Sequence, residues 1–266
     1  MFTKAFLEEQ LEQLEVPENA VVMLHSSLRA VGETEGRGEG LLEVLINHFT
    51  RGKGLLCFPT HTWGIKEDEE KIRLDLTKNE TCVGMLTKLA SAHPDSLRSL
   101  HPTHSVAVFG DRKMAEEYIY HDALATSSTD PAASYGKLYD CDGYVMLVGV
   151  GHNKNTYIHS VEEMLNVPNR LTKDPVKFKV RLADGTVVEH AIRCHSAEGI
   201  GDVSRFYVKY EPAFRKHGAI KDGMLGNAQV QLCSAKIMKE VVELVRKRSG
   251  GAEILSDESP LNENWY

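Results

Sequence analysis

Hydrophobic and polar positions along the chain follow two periods in turn. Residues 2–14 (FTKAFLEEQLEQL) space their apolar side chains helically with charges between them, which predicts an amphipathic first helix. Residues 20–24 (AVVML) are a short apolar run ended by polar residues, the pattern of a buried strand. A glycine-rich loop with Gly32, Gly36, Gly38 and Gly40 then leads into a helical pattern at 41–49 (LLEVLINHF). Gly52 and Gly54 break to a second buried strand at 55–58, stopped by Pro59. Two more apolar strands follow at 106–109 and 144–150, the latter running into another helix start. Around 176–193 the pattern changes to alternation, and Asp184-Gly185 between the two runs is a strong hairpin signal. Residues 234–248 (SAKIMKEVVELVRKR) form an amphipathic helix with basic residues at its C-terminal end, where the helix dipole favours them. Strand–loop–helix–strand is an α/β signature, so the expectation is a mainly parallel central sheet with an antiparallel appendage. At 266 residues one large domain and two intimate lobes are both compatible, and no lobe boundary is readable.

Composition adds little to that picture. The content of 42% hydrophobic and 26% charged residues is that of an ordinary globular chain. The net charge of -7 argues against nonspecific nucleic-acid binding and suits a cationic small substrate. Five scattered cysteines, none spaced as CxxC, argue against a disulfide framework and for a reducing cytoplasm. No apolar run reaches membrane-spanning length and no signal-peptide core is present, so a cytoplasmic location without membrane or nucleic-acid partners is expected.

Three segments could carry chemistry. The loop after the first strand, residues 25–31, emerges where open α/β sheets place ligands. There Ser26 and Ser27 are small and Arg29 could pair with a phosphate, yet neither GxxxxGK[ST] nor a strand-to-helix GxGxxG is present and a plain surface loop is an alternative. His101 and His104 flank Pro102 ahead of a strand, but no HExxH or carboxylate set completes a metal site. The third segment, 149–163 (GVGHNKNTYIHSVEE), closes a strand with glycines and opens a helix that Asn155 or Thr156 can cap. In that helix Glu162 stands three residues after His159, on the same face. A carboxylate beside an imidazole fixes its tautomer and stabilises the imidazolium, as a general base requires. On spacing alone an exposed His–Glu surface pair is the commoner outcome. No serine lies in a GxSxG elbow.

An ordered series of blocks resembles the aminoglycoside N3-acetyltransferase family, which is distinct from the GCN5-related acetyltransferases. The blocks are LHSSLRAVG (24–32), GLLCFPTHTW (54–63), VGML (83–86), RSLHPTHSVAVFG (98–110), SYGKL (134–138), VMLVGVGHNKNTYIHSVEEMLNVPNR (145–170) and GMLGNAQ (223–229). The resemblance covers roughly residues 15–245 and implies an α/β/α layered sandwich and single-displacement acetyl transfer from acetyl-CoA, with no metal. It implies His159 as base, Glu162 as its orienter and Thr60 beside the thioester. It places the CoA on His25, Ser26, Ser27, Leu28, Arg29, Ala30 and Val31, joined by His104 and Ser105, with backbone amides of this loop as oxyanion donors. The acceptor would be an amine of an aminoglycoside-like molecule (N3 of 2-deoxystreptamine), held by Glu163, Glu198 and Thr62, and a homodimer is among the assemblies it allows. The match is weaker at 194–199 (CHSAEG), where the acidic cluster suited to a polycation is thin. Two other readings stand beside it. One is a noncatalytic CoA- or antibiotic-binding protein on the same scaffold; the other is a metal-dependent hydrolase using His101, His104 and His152.

Overall fold

The computed structural model describes residues 1–66, 69 and 71–266. In chain order its elements are α1 (Lys4–Glu12), β1 (Val21–Ser26), α2 (Leu28–Val31), α3 (Arg37–Thr50), β2 (Leu55–Pro59), β3 (Ile72–Asp75), α4 (Met85–Ala92), β4 (Leu97–Arg98), β5 (Val106–Phe109) and α5 (Arg112–Ile119). There follow α6 (Lys137–Asp140), β6 (Tyr144–Val148), α7 (Tyr157–Met164), β7 (Val176–Arg181), β8 (Val187–Ile192), α8 (Glu211–Lys216), β9 (Ile220–Leu225), β10 (Ala228–Ser234) and α9 (Ala235–Arg248), with a 3-10 turn at Val203–Tyr210.

A seven-stranded sheet runs in the order β4-β5-β2-β1-β6-β10-β9. Its centre, β2-β1-β6, is parallel, and an antiparallel pair flanks it on each side, so that five of the seven strands point the same way. The central strands read as unbroken apolar runs because both faces are covered. Val21 and Met23 face one core with α7, α8, α9 and the 3-10 turn, while Val22 and Leu24 face another with α1, α3 and α4. This is the layered α/β/α sandwich the sequence suggested. The Asp184-Gly185 hairpin forms as expected, and β3 adds in parallel to β7 to make a second, three-stranded sheet.

The glycine-rich stretch differs from expectation at its end. Gly38 and Gly40 lie inside the first turn of α3, not in a loop. A Cβ on Gly40 would stand 2.0 Å from the Glu35 carbonyl oxygen, so only glycine allows the chain to turn this tightly into the helix. Gly149 closes β6 at φ +62°, and a Cβ there would meet that of Ala30 at 2.3 Å. The close approach of these two backbones sets the path of the chain from β6 toward α7. Among the described residues no helix is long and apolar enough to cross a membrane.

Candidate active site

The carboxyl ends of β1, β2 and β6 open into one cleft of about 1080 Å³. Successive elements run outward on opposite sides of β1, which makes the cleft the switch-point crevice where α/β sheets bind ligands. It is lined by His25 and Ser26 from β1, Pro59 and His61 from the end of β2, and Asn153, Lys154, Asn155 and Thr156 ahead of α7. Gly84 and Thr87 near the start of α4, Phe178 of β7, and the segments 194–197 and 201–204 complete it, with Trp63 on an exposed edge.

His159, the third residue of α7, lines this cleft. Its Nδ1 lies 2.7 Å from the Tyr207 hydroxyl, which donates to Glu162 Oε2 at 2.6 Å. Glu162 Oε1 accepts from Arg170 Nε at 2.6 Å, and Arg170 Nη2 donates to both carboxylate oxygens of Glu253 at 2.9 Å. The contact foreseen between His159 and Glu162 is thus made through a phenol rather than directly. Nor is it an exposed surface pair, because Glu162 is 2% and Tyr207 0% exposed.

Counting protons fixes the state of the imidazole. Both Glu162 oxygens accept, so the group is a carboxylate. Tyr207 has one proton and gives it to Glu162; its oxygen can then only accept from His159, whose Nδ1 must carry the hydrogen. Nε2 keeps its lone pair and has no partner among the described residues. Burial pushes the Glu162 carboxyl upward, opposed by the Arg170 guanidinium and the Tyr207 hydroxyl. Burial, then His195, His61 and Arg170, hold the His159 imidazole well below its ordinary value. His159 is therefore a neutral imidazole at pH 7, linked through Tyr207 to a buried carboxylate. The side-chain cap foreseen for α7 is absent: Thr156 makes no cap bond and Asn155 Nδ2 turns to His152 Nδ1 at 3.1 Å.

The remaining expectations divide. His25, Ser26 and His104 line the cleft, and the buried Nε2 of His25 has no hydrogen-bond partner. Ser27, Leu28, Arg29, Ala30 and Val31 do not line it, because the chain folds at once into the single turn of α2. The amide of Ser27 donates to the Val148 carbonyl, and those of Ala30 and Val31 donate to the Ser27 carbonyl. Arg29 is exposed and Val31 is core. Thr60 is fully buried with its hydroxyl on Ser105 at 3.0 Å, and neither lines the cleft. Alternation along the extended chain sends Pro59 and His61 into the cleft and Thr60 behind it. Thr62 follows Thr60, its hydroxyl bonded to the Pro102 carbonyl. Glu163 is taken up by Ser127, Thr129 and the Thr129 amide, and Glu198 is exposed; both lie outside the lining.

Among the described residues the lining holds one carboxylate, Asp202, beside Lys154, Arg73 and Arg170. His101, His104 and His152 do not come together at ligand spacing. His101 instead pins the Pro102 turn, accepting the Thr103 and His104 amides on Nδ1 and donating to the Ser127 carbonyl at 2.9 Å. The residues unforeseen from the sequence are Tyr207, Arg170 and His195, whose ring stacks on His159 at 4.0 Å and 18°.

A strand-end cleft that holds a neutral imidazole backed by a buried carboxylate relay is an arrangement able to accept a proton from a bound group. Residues 23–247 match the model of the aminoglycoside 3-N-acetyltransferase family, and the chain belongs to that family. It is 33% identical over 167 residues to aminoglycoside N(3)-acetyltransferase IV of Salmonella sp, a match covering 62% of this chain and 60%, less than two thirds, of that protein. The fold resembles that of AAC-IIIb solved as a binary complex with CoASH, with a TM-score of 0.77 at 18% identity, covering 92% of this chain and 97% of the other. It also resembles a variant of aminoglycoside acetyltransferase AAC(3)-IVa solved in complex with apramycin, with a TM-score of 0.70 at 25% identity over 95% and 97% of the two chains.

Proposed function

We propose that this chain transfers an acetyl group from acetyl-CoA to an amine of an aminoglycoside-like acceptor by direct displacement, with His159 as general base. The observation that carries the reading is the relay Glu162–Tyr207–His159, which leaves one basic nitrogen at the strand-end cleft. Family membership supports the reaction class. The cleft suits the acyl donor: its volume is about 1080 Å³, the exposed cation Lys154 in its lining can meet a phosphate, and the unpartnered Nε2 of His25 offers a polar contact inside. Acetyl-CoA supplies the activated thioester carbonyl.

The protein's own groups do the rest. An ammonium cannot attack a carbonyl until it loses a proton, and His159 Nε2 is placed to take it. The positive charge then on the ring is met through Nδ1–H and the Tyr207 hydroxyl by the Glu162 carboxylate, which Arg170 holds in orientation. The low proton affinity of the buried ring keeps it unprotonated before each cycle. Asp202 is the anionic contact for an ammonium in the described lining, and Trp63 and Phe178 give that lining apolar surface.

The test is thiol release from acetyl-CoA across a panel of amines, in wild type and His159→Ala. Turnover should fall roughly 10²–10⁴-fold while CoA affinity by calorimetry is retained. Wild-type turnover in the variant would sink the assignment of the base. A protein that binds CoA and antibiotic but never releases thiol would be a binding protein, not an enzyme.

A further inference from the structure

Glu162 and Glu163 are neighbours on α7, yet each ends on a different imidazole. The second path is Glu163 to Thr129 to His195. The Thr129 hydroxyl donates to Glu163 Oε1 at 2.7 Å and lies 3.0 Å from His195 Nε2. Having given its one proton to the carboxylate, it accepts from His195, which fixes Nε2–H on that ring and leaves Nδ1 with its lone pair. Glu163 is locked by Ser127 and the Thr129 amide as well, so this path is as well anchored as the first. The two rings so prepared stack on each other at 4.0 Å, and both line the cleft. His195 also touches His104 edge-on, at 4.9 Å between centroids.

Two basic nitrogens match a requirement of the chemistry. Converting an ammonium and a thioester into an amide and a thiol removes two protons from nitrogen. The first leaves before the N–C bond forms and the carbonyl electron pair moves to oxygen. The second leaves as that pair re-forms C=O and the C–S bond breaks with its electrons going to sulfur. One of the two protons ends on sulfur and the other in solvent. A single imidazole with one free lone pair holds only one of them at a time.

We propose that His195 is the second proton acceptor of the transfer: its Nδ1 takes the proton lost as the adduct collapses and passes it to the departing sulfur, while the proton on His159 leaves to solvent through the open cleft. This rests on the acetyl-transfer reading above. Two imidazolium rings at this stacking distance repel, so the second proton moves on to sulfur rather than accumulating.

The experiment uses the full chain, acetyl-CoA and an accepted amine. His195→Phe keeps a stacked ring without nitrogens, and turnover should fall roughly 10²-fold with the KM for acetyl-CoA unchanged; the low end of a positioned base is expected because cleft water can substitute. In His195→Ala, added imidazole should restore turnover and pyrazole, of the same shape but far less basic, should not. Wild-type turnover in His195→Phe, or equal rescue by pyrazole, overturns the proposal while leaving the acetyl-transfer reading intact. A wild type that releases no thiol with any amine overturns that reading and the proposal with it. Nitrogen NMR of labelled His195 checks the relay independently of activity: an unprotonated Nδ1 at neutral pH supports it, and a protonated one overturns it.

Discussion

Replacing Tyr207 by phenylalanine removes one oxygen atom from the centre of the relay and little else. The ring is fully buried and remains, so packing is conserved. Two hydrogen bonds vanish, one to the Glu162 carboxylate at 2.6 Å and one from His159 Nδ1 at 2.7 Å. Bonds to charged groups contribute about 1.5–3 kcal/mol. In the resting protein that loss falls on stability. On the mechanism proposed above it falls, in the transition state, on the forming imidazolium, where about 1.4 kcal/mol is tenfold in rate, so turnover should drop roughly 10–10²-fold. The sign of the pH effect is the sharper check. Protonated His159 loses its link to an anion, so its proton affinity falls further and the acid limb of kcat moves to lower pH even as the plateau drops. The assay is thiol release at saturating acetyl-CoA from pH 5 to pH 9, with a thermal melt alongside. Loss of melting temperature with unchanged turnover, or an acid limb that moves upward, would refute the relay.

Arg170→Ala should cost about 3–5 kcal/mol of stability by stranding the buried Glu162 charge, seen in denaturant titration, and Arg170→Lys should recover only part of it. Thr60→Val should leave turnover and the KM for acetyl-CoA unchanged and cost about 1 kcal/mol, because its hydroxyl faces Ser105 behind the cleft; a specific turnover defect would return Thr60 to the chemistry. Gly149→Ala should cost at least about 1–3 kcal/mol from the left-handed backbone alone, with the Ala30 contact added to it, and a melt as high as wild type would contradict the geometry. Burial holds His25 down to about 3 and His101 and His152 down to about 4, and holds His61 and His104 well below the ordinary value. Unfolding therefore takes up protons below about pH 6.5, each such histidine lowering stability by about 1.4 kcal/mol per pH unit down to its folded value; a melting temperature flat from pH 7 to pH 5 would oppose this.

The sequence revealed the sheet where both faces are buried and hid the site where contacts are long-range. The apolar runs at β1, β2, β5 and β6 were legible because a strand covered on two sides cannot alternate. His159 and Glu162 were legible as a helix pair because their spacing is local. Tyr207 was not: it lies 45 residues beyond Glu162 in a 3-10 turn whose Phe206, Tyr207 and Tyr210 look like any packed aromatic stretch. Its hydroxyl acquires meaning only when that turn meets α7. His195 was hidden for the same reason, arriving from the exit of β8. The resemblance implies Thr60 beside the thioester, yet one step of alternation separates it from His61, which lines the cleft.

The link from Arg170 to Glu253 reaches past α9, 83 residues along the chain. Glu253, Arg170, Glu162, Tyr207 and His159 are coupled end to end like the rods of a crank, with the His159 imidazole at the inner end. A protease cut, a bound partner or a substitution near residue 253 would act on the far end of that train. Glu253 is exposed and outside the cleft lining, so a change there reaches His159 only through Arg170, Glu162 and Tyr207.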